Sequence, residues 1–343
     1  MGETPHAFPD VDTICAGKWL ANANARGLFD RSQACTDQGR RYWSGHWLRW
    51  KYRLDGQKPD AEEREACPDQ PTWDAIQKAI KELGKAPSYF TVLILDGDRM
   101  GELMRHANEN QLKEISGTLA DFALKKVQPL VENTHHGKLV YAGGDDVLAL
   151  LPTATALGCA NDLRQRFTQT LHNNQIQYRD GNAVTVSGGL VVAHAKANLR
   201  DVLQTARAAE HQAKQEGKDR LTIAVLRRSG EHTSVGCPWD HIERLTELVE
   251  GFSSQSVQRG ESDRWAYQFR RELESALPDV PELLNAELGR LLGRAEGASS
   301  EFKERIQTFW KRVGGRDSLA AAKRFTQLIQ SASFLARGGR EER

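Results

Sequence analysis

At 343 residues the chain exceeds the usual size of one domain, so two or three structural units are expected, each large enough to bury a core. Its 47 Lys and Arg nearly cancel its 46 Asp and Glu, which excludes nucleic-acid binding through net charge and leaves only a local patch for such contact. Five scattered cysteines form no C-x-x-C pair, and no apolar run approaches the roughly 18 residues of a membrane span, so the reading is a soluble protein of a reducing cytoplasm.

Residues 8–20 (FPDVDTICAGKWL) leave room for a short strand among helix-like residues, and the stretch up to Pro87 has no sustained period. Within it, 71–84 repeats apolar residues at Trp73, Ile76, Ala79, Ile80 and Leu83, one face of a helix that Gly84 can stop. From Tyr89 the pattern becomes α/β. The run 89–95 (YFTVLIL) suits a strand covered on both faces. A helix over 112–131 follows, with Ile115, Leu119, Phe122, Val127 and Leu130 inward. Short strands over 138–142 and 147–151 flank Gly143-Gly144-Asp145-Asp146, a hairpin turn signal. Then come a helix over 156–172, a strand over 183–193, a helix over 199–215 and a strand over 220–226.

After Gly230 the apolar residues move to helical spacing, beginning with Ile242, Leu245, Leu248, Val249 and Phe252 and continuing over 264–277, 281–292, 301–313 and 319–335. This predicts a mixed segment at 1–88, an α/β unit at 89–228 and a helical unit at 229–343. Phe302, Ile306, Phe309 and Trp310 form a stripe on one helix, suited to docking a partner or to filling the unit's own core, the commoner use.

Two acidic groups carry the chemistry. Asp96-Gly97-Asp98 closes the first apolar strand just before a helix, at the strand edge where ligands bind and free N–H groups attract phosphate. The bland use of an Asp there is a helix cap. Asp145-Asp146 repel each other at a hairpin tip that a single Asp-Gly would have turned. Paired carboxylates suit divalent cations that take hard oxygen ligands and keep phosphates and waters as the rest of their shell. If the two strands are neighbours, Asp96, Asp98, Asp145 and Asp146 converge and metal-assisted phosphoryl transfer follows.

The strings DGDRMG (96–101), GKLVYAGGDDVLALLP (137–152), SGGLVVAHAK (187–196), AEHQAKQEGKDRLTI (209–223) and LRRSGE (226–231) resemble the second palm domain of the large, polymerase-like subunit of type III-B CRISPR complexes. More distantly the plan is similar to GGDEF diguanylate cyclases and adenylate cyclase palms. The resemblance implies a ferredoxin-like α/β palm followed by a helical domain, joining ATP into cyclic or linear oligoadenylates with two Mg²⁺ or Mn²⁺ ions. It implies that Asp96, Asp145 and Asp146 hold the metals. Gly97, Asp98, Arg99, Gly143 and Gly144 would meet the nucleotide, and Lys214 with Lys218 would hold its triphosphate. The implied partners are other type III complex subunits with guide and target RNA, or a second copy of the chain. Family members begin with an HD domain and a first palm, which this sequence does not show. Two rival readings remain: a homodimeric palm making a cyclic dinucleotide, and a silent structural subunit.

The run 40–53 (RRYWSGHWLRWKYR) holds five basic residues, three Trp and two Tyr without an acid; it suits RNA contact or, more commonly, a packing element. His135 and His136 are expected as surface loop residues.

Overall fold

A computed structural model describes residues 8–49, 67–253, 263–275, 277–295 and 298–337. Two helices, α1 (Val11–Cys15) and α2 (Gly17–Ala25), occupy the stretch in which a strand was allowed. Asp10 decides this: its carboxylate accepts from the Thr13 N–H at 2.7 Å as the cap of α1, and from the Gly45 N–H at 2.9 Å. Helix α3 (Gln70–Leu83) ends on Gly84, whose φ is +79°.

Strand β1 (Tyr89–Gly97) is followed by α4 (Met100–Arg105) and α5 (Glu109–Phe122). Asn108 and Gln111 make a reciprocal capping box that starts α5 three residues before its expected beginning. Beyond Phe122 the helix widens into π turns over Ala123–Val127 and Pro129–Thr134, where Pro129 has no N–H to give. Strands β2 (Lys138–Gly143) and β3 (Asp146–Pro152) form the hairpin, and α6 (Thr153–Asn173), β4 (Val186–His194), α7 (Leu199–Gln215) and β5 (Arg220–Leu226) complete the alternation.

The sheet order is β2-β3-β1-β4-β5-β6, and the pairs β2-β3, β3-β1 and β1-β4 are antiparallel. That order and the βαββαβ succession are the ferredoxin-like plan, with β1 at the centre. Strand β5 adds parallel to β4 across the α7 crossover. Strand β6 (His232–Pro238) pairs antiparallel with β5, in a segment expected to be helical.

Helices cover both faces of β1, which is why its run is apolar without alternation. Tyr89, Leu93 and Leu95 join the core under α5 and α6, whereas Phe90 and Val92 pack with Ile14 and Cys15 of α1 and Val202, Ala206 and Ala209 of α7. By the same two-residue period Asp96 falls on the α7 side.

The C-terminal helices are α8 (Trp239–Ser253), α9 (Arg264–Ser275), α10 (Pro281–Gly293), α11 (Ser300–Arg312) and α12 (Leu319–Ala336). Their apolar core is continuous with that of the palm. Tyr89 of β1 meets the Phe334 ring edge-on at 5.0 Å, and the stripe Phe302, Ile306, Phe309 and Trp310 is at most 3% exposed. That stripe is core: Trp310 packs edge-on against Phe325 at 4.9 Å.

In the Trp-rich run, Trp47 is buried and the Trp43 indole N–H donates to Thr13 Oγ1 at 3.0 Å. Arg49 donates to Asp12 and Ser88 Oγ, each at 2.6 Å, and to the Pro87 carbonyl at 2.8 Å. These residues staple the N-terminal segment to the palm; residues 50–53 lie outside the described ones.

Candidate functional site

The antiparallel register of β1 and β3 sets Leu95 against Val147, so Asp96 and the hairpin acids arrive at one end of the sheet. Ligand oxygens of Asp96, Asp145 and Asp146 all lie within 4.8 Å of one another. Gly97 permits this closeness: a Cβ there would stand 2.8 Å from Asp145 Cβ and 2.7 Å from Met100 Cγ. Gly144 turns the hairpin at φ +69°, and a Cβ on Gly143 would overlap the Tyr141 hydroxyl.

Burial raises the pKa of Asp145, and the neighbouring Asp146 raises it further; burial also raises that of Asp146. Lys214 on α7 ion-pairs with Asp96 and lies 3.1 Å from Glu210. Its own pKa is lowered, by burial first and then by the charge of Lys218.

Glu210 is a member of this neighbourhood that sequence reading missed. Burial raises its pKa and the charges of Asp146 and Asp98 add to the rise, against a lowering by His211. The signal was its i,i+4 spacing to Lys214 on a helix seated tightly over β4, where a Cβ on Gly189 would meet the Glu210 backbone nitrogen at 2.7 Å.

Asp98 is not brought into the cluster. Its side chain turns into the sheet, 1% exposed, and accepts from Thr185 Oγ1 at 2.7 Å, Ser187 Oγ at 2.8 Å and the Asp219 N–H at 3.1 Å. The Tyr178 hydroxyl donates to its carbonyl at 2.5 Å. Arg99, left-handed at φ +50°, lays its guanidinium 3.8 Å from the centre of the Tyr178 ring and lies 3.5 Å from Asp180. Tyr178 also lines a polar groove of about 860 Å³ between α4, α5 and the segment after α6, with His106, Gln111 and Asn174. Lys218 lies in the turn after α7 at φ +65°.

His135 is half-buried rather than on the surface, with Nε2 2.8 Å from Asp162 Oδ2; His136 is exposed as expected.

Residues 89–222 match the model of the Cas10/Cmr2 second palm domain. This chain carries a Cas10/Cmr2 second palm. Over 270 residues it is 30% identical to the CRISPR system Cmr subunit Cmr2 of Pyrococcus furiosus, covering 68% of this chain and 30% of that protein. The chain thus spans under a third of that relative's length. Among solved structures, Csm1 of T. onnurineus aligns with a TM-score of 0.45 at 15% identity over 70% of this chain and 37% of that one. The apo type III-B Cmr-beta structure aligns with a TM-score of 0.47 at 12% identity over 86% and 44%. Among the described residues, no helix of this palm protein is long and apolar enough to cross a membrane.

Proposed function

We propose that this chain is a nucleotide-joining palm of a type III CRISPR system, a metal-dependent nucleotidyltransferase that converts ATP into cyclic or linear oligoadenylates. The observation that carries the reading is the convergence of Asp96, Asp145 and Asp146 from two neighbouring strands.

The donor set is all carboxylate, which fits hard divalent cations such as Mg²⁺ or Mn²⁺ and disfavours soft metals. Two such ions, when bound, would supply Lewis-acid stabilisation of the attacking and leaving oxygens. The chain's own contribution is positional. Asp96, Asp145 and Asp146 offer the oxygens, and the glycines at 97 and 144 let the carrying strands close up. Lys214 already stands at the cluster through its pairing with Asp96, where an ammonium can meet the phosphates of a bound nucleotide. No side-chain nucleophile is required, because the attacking group is a ribose hydroxyl of the substrate.

Similarity to a Cmr subunit supports assembly with further complex subunits; guide and target RNA are proposed with them as partners. The test is incubation with ATP and Mg²⁺ or Mn²⁺, with and without such partners, followed by mass analysis of the products. Oligoadenylate formed by the wild type and lost in Asp145→Ala/Asp146→Ala supports the reading; its absence under every condition supports a silent subunit.

A further inference from the structure

The Asp98 carboxylate is among the most thoroughly tied groups in the palm and yet lies two residues from the metal cluster without joining it. Two of its bonds, from Thr185 and Ser187, fix it to the entry of β4. The third comes from the backbone N–H of Asp219, 121 residues further along the chain.

That N–H belongs to a costly turn. Gly217, Lys218 and Asp219 stand in succession at φ +119°, +65° and +46°. A helix C-terminus needs only one left-handed residue, and glycine supplies it without strain. Continuing the left-handed path through two residues with side chains costs on the order of 1–3 kcal/mol each, and such conformations persist only where the surroundings over-determine them. Here the Lys218 N–H bonds the Ala213 carbonyl at 3.1 Å and the Asp219 N–H bonds Asp98. A turn that merely joined α7 to β5 would use Gly or Asn at position 218, so keeping Lys there points to a use for its ammonium. Lys218 follows Lys214 by four residues and is half-buried in the turn.

We infer that Asp98 is a positioning residue, whose buried carboxylate clamps the Gly217–Asp219 turn and so presents Lys218 beside Lys214 at the phosphate end of the site. This rests on the reading of the two lysines as triphosphate ligands. Asp98 touches neither metal nor nucleotide itself; it acts through Asp219 and Lys218.

The test is calorimetric titration of MgATP into the full chain for wild type, Lys218→Ala, Asp98→Asn and the double variant. A hydrogen bond to a charged group is worth enough for each single change to weaken binding about five- to tenfold. The double variant is expected to bind no more weakly than the worse single, because both changes remove one contact. Losses that multiply in the double variant overturn the positioning role, as does Asp98→Asn binding like wild type while Lys218→Ala is impaired. Unimpaired binding by Lys218→Ala overturns instead the phosphate role of that lysine. If Asp98→Asn does not fold, Thr185→Val removes one of the clamp's donors and is read by the same coupling to Lys218→Ala. Lys218→Gly gives an independent check: a raised melting temperature together with weakened MgATP binding is expected, and a lowered melting temperature contradicts the strain on which the role depends.

Discussion

Asp145 and Asp146 stand side by side at a hairpin tip, where burial raises the proton affinity of both and the charge of Asp146 raises that of Asp145 further. In the metal-free protein they are a cost, so Asp145→Ala/Asp146→Ala should abolish nucleotide product while leaving thermal stability level or slightly higher. A carboxyl whose folded pKa is raised binds more protons folded than unfolded, so its destabilisation is present above the folded pKa and relieved as pH falls toward the unfolded value. The stability gap between mutant and wild type should therefore be widest at neutral pH and narrow toward pH 4, as melting curves across that range would show. An unfolded double mutant would make the acids structural. Lys214→Ala should weaken MgATP binding by about tenfold or more, the loss of a charge-assisted contact, whereas Lys113→Ala, on an exposed helix face paired with Glu109, should not. Equal affinities in a titration would return Lys214 to the class of solvated lysines. Asp96, Asp145 and Asp146 were legible because they interrupt apolar runs, where a carboxylate has no structural reason to be. Asp98 was not, because its direction is set by Thr185 and Ser187, whose nearness only the folded sheet creates. Glu210 was hidden by looking like any helix-surface acid.

Gly97 ends β1 in contact with the hairpin turn, and this contact joins the two acidic motifs into one site. Gly97→Ala pushes a methyl group against Asp145 and Met100, an overpacking that costs about 1–3 kcal/mol. Product formation should fall far more than stability does; urea unfolding and product yield on the same sample check this, and unchanged yield would mean that the spacing of the acids is not critical. The strands and helices from Tyr89 to Leu226 were readable from continuous apolar runs, helical spacing and the Gly-Gly-Asp-Asp turn signal together. Strand β6 was not, because HTSVGCP carries only Val235 and Cys237 as alternating apolar residues, and its place depends on β5 beside it. The segment 8–20 was misleading for the opposite reason: Asp10 caps α1, while Ile14 and Cys15 face the sheet.

Across the whole molecule the palm and the helices share one apolar core, from Leu93 through Val235 and Trp239 to Phe325. Sequence periodicity assigns a face to each helix but not the partner that face meets, which is why the stripe on α11 could be read as a docking surface. Trp310→Ala should cost about 3–5 kcal/mol, and it should lower the stability of the palm with that of the helices. Coincident transitions by fluorescence and circular dichroism are expected; a palm that melts unchanged would show two independent units. The central claim is that three converging carboxylates make this palm a metal-dependent nucleotidyltransferase. Its most direct test is the mass of the products formed from ATP with Mg²⁺ or Mn²⁺ in the presence of complex partners and target RNA. The account predicts oligoadenylates that require the metal and vanish in Asp145→Ala/Asp146→Ala; the same products from the double mutant, or none from the wild type with every partner supplied, would contradict it.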